Sequence, residues 1–102
     1  MGLFSIFETK NNNGRIAELI EENALIIDVR TPDEYRSGHI TQSVNIPLDT
    51  IPMKINELKR KNKAIITCCR SGARSGMAAD QLRNAGIDVE NGGSWNSLEG
   101  FM

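Results

Sequence analysis

Residues that form cross-links or bind metals are scarce in this sequence, which holds two cysteines and one histidine among 102 residues. The cysteines are the neighbours Cys68 and Cys69. Adjacent Cα atoms lie about 3.8 Å apart across a trans peptide, below the usual disulfide window that begins at about 4.4 Å. With His39, the two thiols are also too few for a structural zinc site. We therefore expect free thiols, as in a reducing cytoplasm, and neither a metal nor a cofactor.

The sequence also lacks a strong net charge and a long apolar run. Its formal charge of −1 gives no general attraction to nucleic acid or anionic lipid, and the basic run at residues 59–63 has no stacking aromatics beside it. No apolar stretch reaches the length of a membrane span, and the N-terminus lacks the features of a secretory signal. We predict one cytoplasmic domain over residues 1–102, with 1–13 as an N-terminal extension or edge segment, and no nucleic-acid or membrane partner.

Short apolar runs alternate with helical patterns along the chain. The runs at residues 24–27, 44–46, 64–68 and 87–89 predict strands, and the patterns at residues 14–22, 52–60 and 74–85 predict helices. Thr31, Pro32 and Glu34 form the signature of a capped helix start. The final segment NGGSWNSLEGFM predicts a turn and then one helical turn. Alternating strands and helices imply parallel crossovers, so we predict an α/β fold with about four to five parallel strands and helices on both faces.

The residues after the third predicted strand are suited to activating a cysteine. A short loop at residues 69–73 curls several backbone N–H groups inward, and such a ring binds anions. The following helix adds the positive end of its dipole, two arginines add charge, and Gly72 permits a backbone angle that other residues resist. A cysteine at the rim of this ring would be held as a thiolate. We therefore predict Cys69 as a sulfur nucleophile and Cys68, on the strand, as a buried apolar residue.

Three motifs in this sequence resemble those of one known family. Cys69-x-x-Gly72-x-Arg74-Ser75 resembles the active-site loop of rhodanese-type sulfurtransferases. The segment DVRTPDEYRSGHITQSVNIPL, residues 28–48, is similar to that family's other characteristic segment, and NGGSW resembles its closing turn. The motifs agree in order and spacing over residues 16–98. The resemblance implies a single rhodanese-like domain with a three-layer fold.

The resemblance also implies a chemical role for the loop. Cys69 would accept a sulfur atom from a small anionic donor such as thiosulfate, carry it as a persulfide, and pass it to cyanide or to a thiol, including that of a thioredoxin-like protein. The backbone N–H groups of the loop would cradle the outer sulfur. Arg70 and Arg74 would attract the donor, and Arg74 would also anchor the loop. The implied substrate-binding residues are Arg70, Ser71, Gly72, Ala73 and Arg74.

Three further residues are expected to support this loop: Asp28, Arg30 and Ser75. The positions of Asp28 and Arg30 lie near the loop base in the family, where an ion pair would stabilise it; an ordinary solvated pair at the strand end is the alternative. We interpret His39 as a structural residue bonded to the backbone, with a catalytic base as the alternative. The protein is expected to be a monomer or a weak dimer.

Two other functions stay open on the residues alone. Counted from Cys68, the sequence reads Cys-x5-Arg74-Ser75, the signature of cysteine-dependent phosphatases, which would suit a phosphatase or an arsenate reductase. Starting the loop at Cys69 instead places Gly72 where the sulfurtransferase loop has its glycine, and the chain offers no obvious aspartate as a leaving-group acid. The second alternative is a non-enzymatic persulfide carrier or interaction module with the same fold.

Overall fold

The computed structural model describes residues 13–102. In chain order its elements are α1 (Asn13–Glu21), β1 (Leu25–Asp28), α2 (Pro32–Arg36), β2 (Val44–Asn45), a 3₁₀ turn (Leu48–Thr50), α3 (Ile51–Lys61), β3 (Ile65–Cys69), α4 (Ala73–Asn84), β4 (Val89–Ser94) and α5 (Trp95–Glu99). The predicted N-terminal segment lies outside the described residues, except for Asn13 at the start of α1. Within residues 13–102, no helix combines the length and the apolar character that crossing a bilayer requires.

The strands form one parallel sheet in the order β2-β1-β3-β4. Parallel neighbours need crossover connections, which the helices between the strands provide. Asp28 at the end of β1 lies level with Cys68 on β3, and Cys69 lies level with Ser94 at the end of β4. The predicted α/β fold with a parallel sheet is therefore confirmed. The carboxyl ends of β1, β3 and β4 meet at one edge, which is where such sheets bind ligands.

Side chains that alternate along each strand pack into two cores, one on each face of the sheet. Ile27 and Ile65 belong to the core that α3 and α4 cover. Ile26 and Ile66 belong to the opposite core, which α1 and α5 cover. Because helices cover both faces, β3 is buried along its whole length, which explains its nearly unbroken apolar sequence.

The short helix α2 begins with the predicted capping box. Thr31 Oγ1 accepts the backbone N–H of Glu34 at 3.3 Å, and Glu34 Oε1 accepts the backbone N–H of Thr31 at 3.0 Å. Pro32 occupies the first turn, where its missing N–H would have no partner within the helix. The cap fixes the position of Glu34, a residue that the candidate site also uses.

Strand β4 is longer than predicted. It covers Val89–Ser94, whereas the sequence predicts a strand at residues 87–89 and a turn at NGG. A Cβ on Gly92 would lie 2.8 Å from Ile66 Cγ2 and 2.9 Å from the Thr67 carbonyl oxygen, both on β3. Glycine is needed here because the Gly92 backbone lies too close to β3 to leave room for a side chain, and not because the chain turns. The predicted helical turn follows as α5.

Candidate active site

The two cysteines at the carboxyl end of β3 face opposite sides of the sheet. Cys68 belongs to the core under α1 and α5, and Cys69 belongs to the core under α3 and α4. Both residues are 0 % exposed. Neighbouring residues of a strand point to opposite faces, so only Cys69 lies on the side of helix α4.

The loop after β3 is shorter than predicted. Because β3 ends at Cys69 and α4 begins at Ala73, the connection is residues 70–72 instead of 69–73. Gly72 has a φ of 105°, a conformation that favours glycine, and it leads the chain into α4. Cys69 is therefore the last residue of β3 and fully buried, whereas the sequence predicts it as the first residue of the loop.

Hydrogen-bond donors surround the sulfur of Cys69. Its Sγ accepts the backbone N–H of Gly72 at 3.0 Å and that of Ser75 at 3.4 Å, and it lies 3.3 Å from Ser75 Oγ. The donors come from the loop and from the first turn of α4, so they extend one residue beyond the predicted range of 70–74. This arrangement is able to stabilise a negative charge on the sulfur.

The hydrogen-bond donors make the Cys69 thiol more acidic than the Cys68 thiol. Burial of Cys69 raises the pKa of its thiol, but hydrogen bonds from the Ser75 hydroxyl and from nearby backbone N–H groups outweigh it, so the net pKa lies below the ordinary value. Burial of Cys68 raises the pKa of that thiol to about 12. Near neutral pH, Cys69 is therefore the cysteine that ionises more readily.

Arg74, expected both to attract a donor and to anchor the loop, is paired with Glu34. Its Nη1 donates to Glu34 Oε1 at 2.7 Å and its Nη2 donates to Glu34 Oε2 at 3.0 Å, which joins α4 to α2. The hydrogen bond from Arg74 is the main reason that the pKa of Glu34 falls to about 2. The carboxylate of Glu34 thus already balances the charge of Arg74. In this structure Arg74 holds α4 against α2. The sequence signals only the capping role of Glu34.

Asp28 and Arg30 form a buried ion pair rather than a solvated one. Arg30 Nη2 donates to Asp28 Oδ2 at 2.7 Å, and the side chains of Arg30 and Asp28 are 5 % and 0 % exposed. Arg30 also donates to the carbonyl oxygens of Glu34 at 3.2 Å and Gly38 at 2.7 Å. The pair therefore ties the end of β1 to the α2 segment, which carries the partner of Arg74.

Arg70 is exposed on the loop and lies beside a cleft. The cleft has a volume of about 290 Å³ and is lined by Arg30, Glu34, Ser37, Arg70, Trp95 and Asn96. The guanidinium of Arg30 lies over the Trp95 ring, 4.9 Å from its centroid, and Arg30 is already paired. Arg70 therefore brings an accessible positive charge to this cleft.

His39 makes the structural contacts that the sequence predicts. Its Nδ1 lies 2.7 Å from the Tyr35 carbonyl oxygen, and its ring stacks on that of Tyr35 with centroids 3.7 Å apart. Tyr35 in turn donates its hydroxyl to the Ser43 carbonyl oxygen at 2.6 Å. These contacts hold the end of α2 against the segment that leads to β2.

Asn91 on β4 contacts the loop, although the sequence does not signal it. Its Nδ2 donates to the Gly72 carbonyl oxygen at 3.0 Å, and its Oδ1 accepts the Ser75 hydroxyl at 2.7 Å. Asn91 stands in the NGG segment, whose local pattern indicates a turn. Only the pairing of β4 with β3 shows that it lies next to the loop.

Comparison with known sequences decides the family. Residues 13–96, most of the chain, match the sequence profile of the Rhodanese-like domain. The chain belongs to the rhodanese-like family. The thiosulfate sulfurtransferase PspE of Escherichia coli (strain K12) is 36 % identical to this rhodanese-like domain over 74 residues, which cover 71 % of each chain. Such relatives support a sulfurtransferase-type function.

A second relative of this rhodanese-like domain is the uncharacterized protein YqhL of Bacillus subtilis (strain 168). It is 43 % identical over 63 residues, which cover 62 % of this chain and 49 % of YqhL. The match therefore spans only about half of YqhL. Among solved structures, the rhodanese with anions from E. coli has a TM-score of 0.66 and 33 % identity, covering 72 % of this chain and 89 % of that chain. The predicted family and fold are confirmed.

Proposed function

We propose that this rhodanese-like domain is a sulfurtransferase whose Cys69 accepts a sulfane sulfur from an anionic donor such as thiosulfate. The observation that carries the proposal is the group of donors around Cys69 Sγ, with the Gly72 N–H at 3.0 Å and the Ser75 N–H at 3.4 Å. They favour the thiolate, which is the nucleophilic form of cysteine. The name of PspE supports thiosulfate as the first donor to test.

The first half of the proposed reaction is a displacement at sulfur. The Cys69 thiolate attacks the outer sulfur of thiosulfate and forms a new S–S bond. The bond between the two sulfurs of thiosulfate breaks, and its electron pair leaves with sulfite. The backbone N–H groups of residues 70–74 would then bond the negatively charged outer sulfur of the persulfide. Arg70, at the cleft, supplies positive charge for the incoming dianion.

The second half returns the protein to its starting state. A thiolate or cyanide attacks the outer sulfur, and the bond to Cys69 breaks with its electron pair returning to Cys69. Cyanide leaves as thiocyanate, whereas a thiol acceptor becomes a persulfide. We propose a thioredoxin-like protein as an acceptor of the second kind.

Mass spectrometry after incubation with thiosulfate tests the proposal. We expect one added sulfur atom, which fragmentation places on Cys69 and which cyanide removes. The matched variants are Cys68→Ser, expected to gain the sulfur, and Cys69→Ser, expected not to gain it. A wild-type protein that gains no sulfur, or gains it on Cys68, would contradict the proposal.

The two alternatives differ in how far the geometry supports them. A phosphatase of the Cys-x5-Arg type would need Cys68 as its nucleophile, yet Cys68 faces the core on the other side of the sheet and its pKa is about 12. Hydrolysis of an aryl phosphate that Cys68→Ser abolishes would favour the phosphatase. A persulfide carrier shares the loaded state of Cys69, so repeated thiocyanate formation, in excess over protein, would identify an enzyme.

A further inference from the structure

The side chain of Asn91 makes three hydrogen bonds, of which one connects β4 to the loop, one connects β4 to α4, and one lies within β4. Its Nδ2 donates to the Gly72 carbonyl oxygen at 3.0 Å. Its Oδ1 accepts the Gly93 backbone N–H at 2.9 Å and the Ser75 hydroxyl at 2.7 Å. Because a carbonyl oxygen only accepts and a backbone N–H only donates, these contacts fix which end of the amide is oxygen. Asn91 therefore presents an acceptor to Ser75.

Ser75 has one hydroxyl hydrogen and two neighbours for it. Its Oγ lies 2.7 Å from Asn91 Oδ1 and 3.3 Å from Cys69 Sγ. When Cys69 is a thiol, its S–H is able to donate to Ser75 Oγ while the hydroxyl donates to Asn91. When Cys69 is a thiolate, the hydroxyl is able to turn to Sγ, and Asn91 Oδ1 keeps the Gly93 N–H. The hydroxyl is thus shared between the amide and the sulfur.

We propose that Asn91 is a positioning residue whose Oδ1 competes with Cys69 for the Ser75 hydroxyl and thereby sets how readily Cys69 becomes a thiolate. The inference rests on the proposed function, in which that thiolate is the nucleophile. It gives a role to a residue of β4 that acts on Cys69 through the hydroxyl of Ser75.

Other charged and titratable groups also interact with the Cys69 thiol, and substitutions at Asn91 do not remove them. Arg74 on α4 interacts with Cys69 electrostatically and is paired with Glu34 of α2. Cys68 on β3 also interacts with Cys69, and Asp28 on β1 interacts with Cys68 and with Arg74. Substitutions at Asn91 leave all of these groups in place but also remove the hydrogen bond to Gly72, so the contribution of the shared hydroxyl is measured by repeating them without Ser75.

Two substitutions of Asn91 should move the acidity of Cys69 in opposite directions. Asn91→Asp makes the acceptor stronger and adds a negative charge near the sulfur, so the pKa should rise by about one unit, a tenfold smaller thiolate fraction below the pKa. Asn91→Ala removes the acceptor and leaves the hydroxyl to the sulfur, so the pKa should fall. Both variants lose the hydrogen bond to Gly72, so a role limited to holding the loop predicts the same direction for both.

The ultraviolet absorbance of the thiolate, followed against pH without any sulfur donor, measures this acidity. Cys68 does not interfere because its pKa is about 12. Asn84→Asp, which adds the same charge at an exposed position near the end of α4, is the matched control and should leave the titration unchanged. Asn91→Ala should also lose its effect when combined with Ser75→Ala, because the shared hydroxyl is then absent.

The possible results separate this inference from the proposed function. Unchanged titrations in both Asn91 variants, or shifts in the same direction, would overturn the role of Asn91. If Asn91→Asp fails to fold, Asn91→Ala in the presence and absence of Ser75 gives the same decision. If the wild type takes up no sulfur from thiosulfate while the titrations shift as expected, the proposed function fails and the role of Asn91 stands.

Discussion

Cys68 and Cys69 are one peptide bond apart and equally buried, yet they occupy different chemical environments. Both are 0 % exposed. Burial raises the pKa of Cys68 to about 12, whereas hydrogen bonds to Cys69 overcome its burial and lower its pKa. Solvent exposure therefore does not distinguish the two thiols. What separates them is the side of the sheet that each one faces, since only one side carries the backbone N–H groups of the loop and α4.

The largest expected difference between the two thiols is in sulfur transfer. Cys69→Ser should reduce thiocyanate formation from thiosulfate and cyanide by about 10³-fold or more, because the nucleophile is removed. Cys68→Ser should retain most of the rate, although it introduces a hydroxyl into an apolar core and so lowers the free energy of unfolding by about 1–3 kcal/mol. Steady-state rates and urea unfolding check both statements. Equal loss of rate in two folded variants would remove the distinction between the thiols.

Alkylation of the native protein gives the next largest contrast. A pKa of about 12 leaves roughly one Cys68 in 10⁵ ionised at neutral pH, whereas the hydrogen bonds to Cys69 lower its pKa and so enlarge its ionised fraction. Iodoacetamide should therefore modify Cys69 about tenfold faster than Cys68 or more. Peptide mapping against time measures the ratio, and unfolding in urea should abolish it. Comparable rates in the native state would show that the donors around Cys69 do not ionise it.

The next prediction concerns the buried ion pair between Asp28 and Arg30 at the end of β1, where Asp28 lies level with Cys68. Arg30→Met would leave the carboxylate of Asp28 buried without its partner, so the free energy of unfolding should fall by about 3–5 kcal/mol. Arg15→Met is the matched control, because Arg15 pairs with Asp88 at the surface, and it should change stability far less. Urea unfolding of the wild type, Arg30→Met and Arg15→Met measures the free energies of unfolding. An Arg30→Met variant as stable as Arg15→Met would contradict the structural role of the pair.

The smallest expected effect concerns the ion pair between Arg74 and Glu34. This pair anchors α4, which covers the core that contains Cys69. Arg74 lowers the folded-state pKa of Glu34 to about 2, below the unfolded value of about 4.3. The ionised Glu34 therefore stabilises the fold above that unfolded value, and this contribution disappears as the pH falls towards 2. Glu34→Gln should be less stable near neutral pH, and its difference from the wild type should shrink with acidification. Thermal unfolding against pH measures this; a constant difference would be the contrary result.

The parts of the molecule that were predictable from the sequence depend on neighbouring residues. The capping box of α2 joins Thr31 and Glu34, which are three residues apart in the chain. The opposite orientation of Cys68 and Cys69 follows from the alternation of any strand. The order of strands and helices likewise follows from periodicity, so the parallel sheet was predictable.

The parts that were missed depend on pairings between distant segments. Arg74 and Glu34 are 40 positions apart, and Ser75 and Asn91 are 16 apart, so no local pattern connects them. The glycines of β4 mislead for the same reason, since the close approach of Gly92 to β3 exists only in the folded sheet. The place of Cys69 on the buried strand was missed because β3, Ile65–Cys69, is displaced by one residue from the apolar run at residues 64–68.

The alternation of side chains along β3 also bears on the proposed function, because it limits how a sulfur carried by Cys69 could leave the domain. A protein with two thiols within reach of each other is able to expel a bound sulfur as hydrogen sulfide by closing a disulfide. In this chain the only other thiol, Cys68, lies on the far side of the sheet, and adjacent cysteines are too close along the backbone for that bond. Under the proposed function, discharge of Cys69 would therefore depend on an acceptor other than Cys68, and the concentration of that acceptor would set the lifetime of the loaded state.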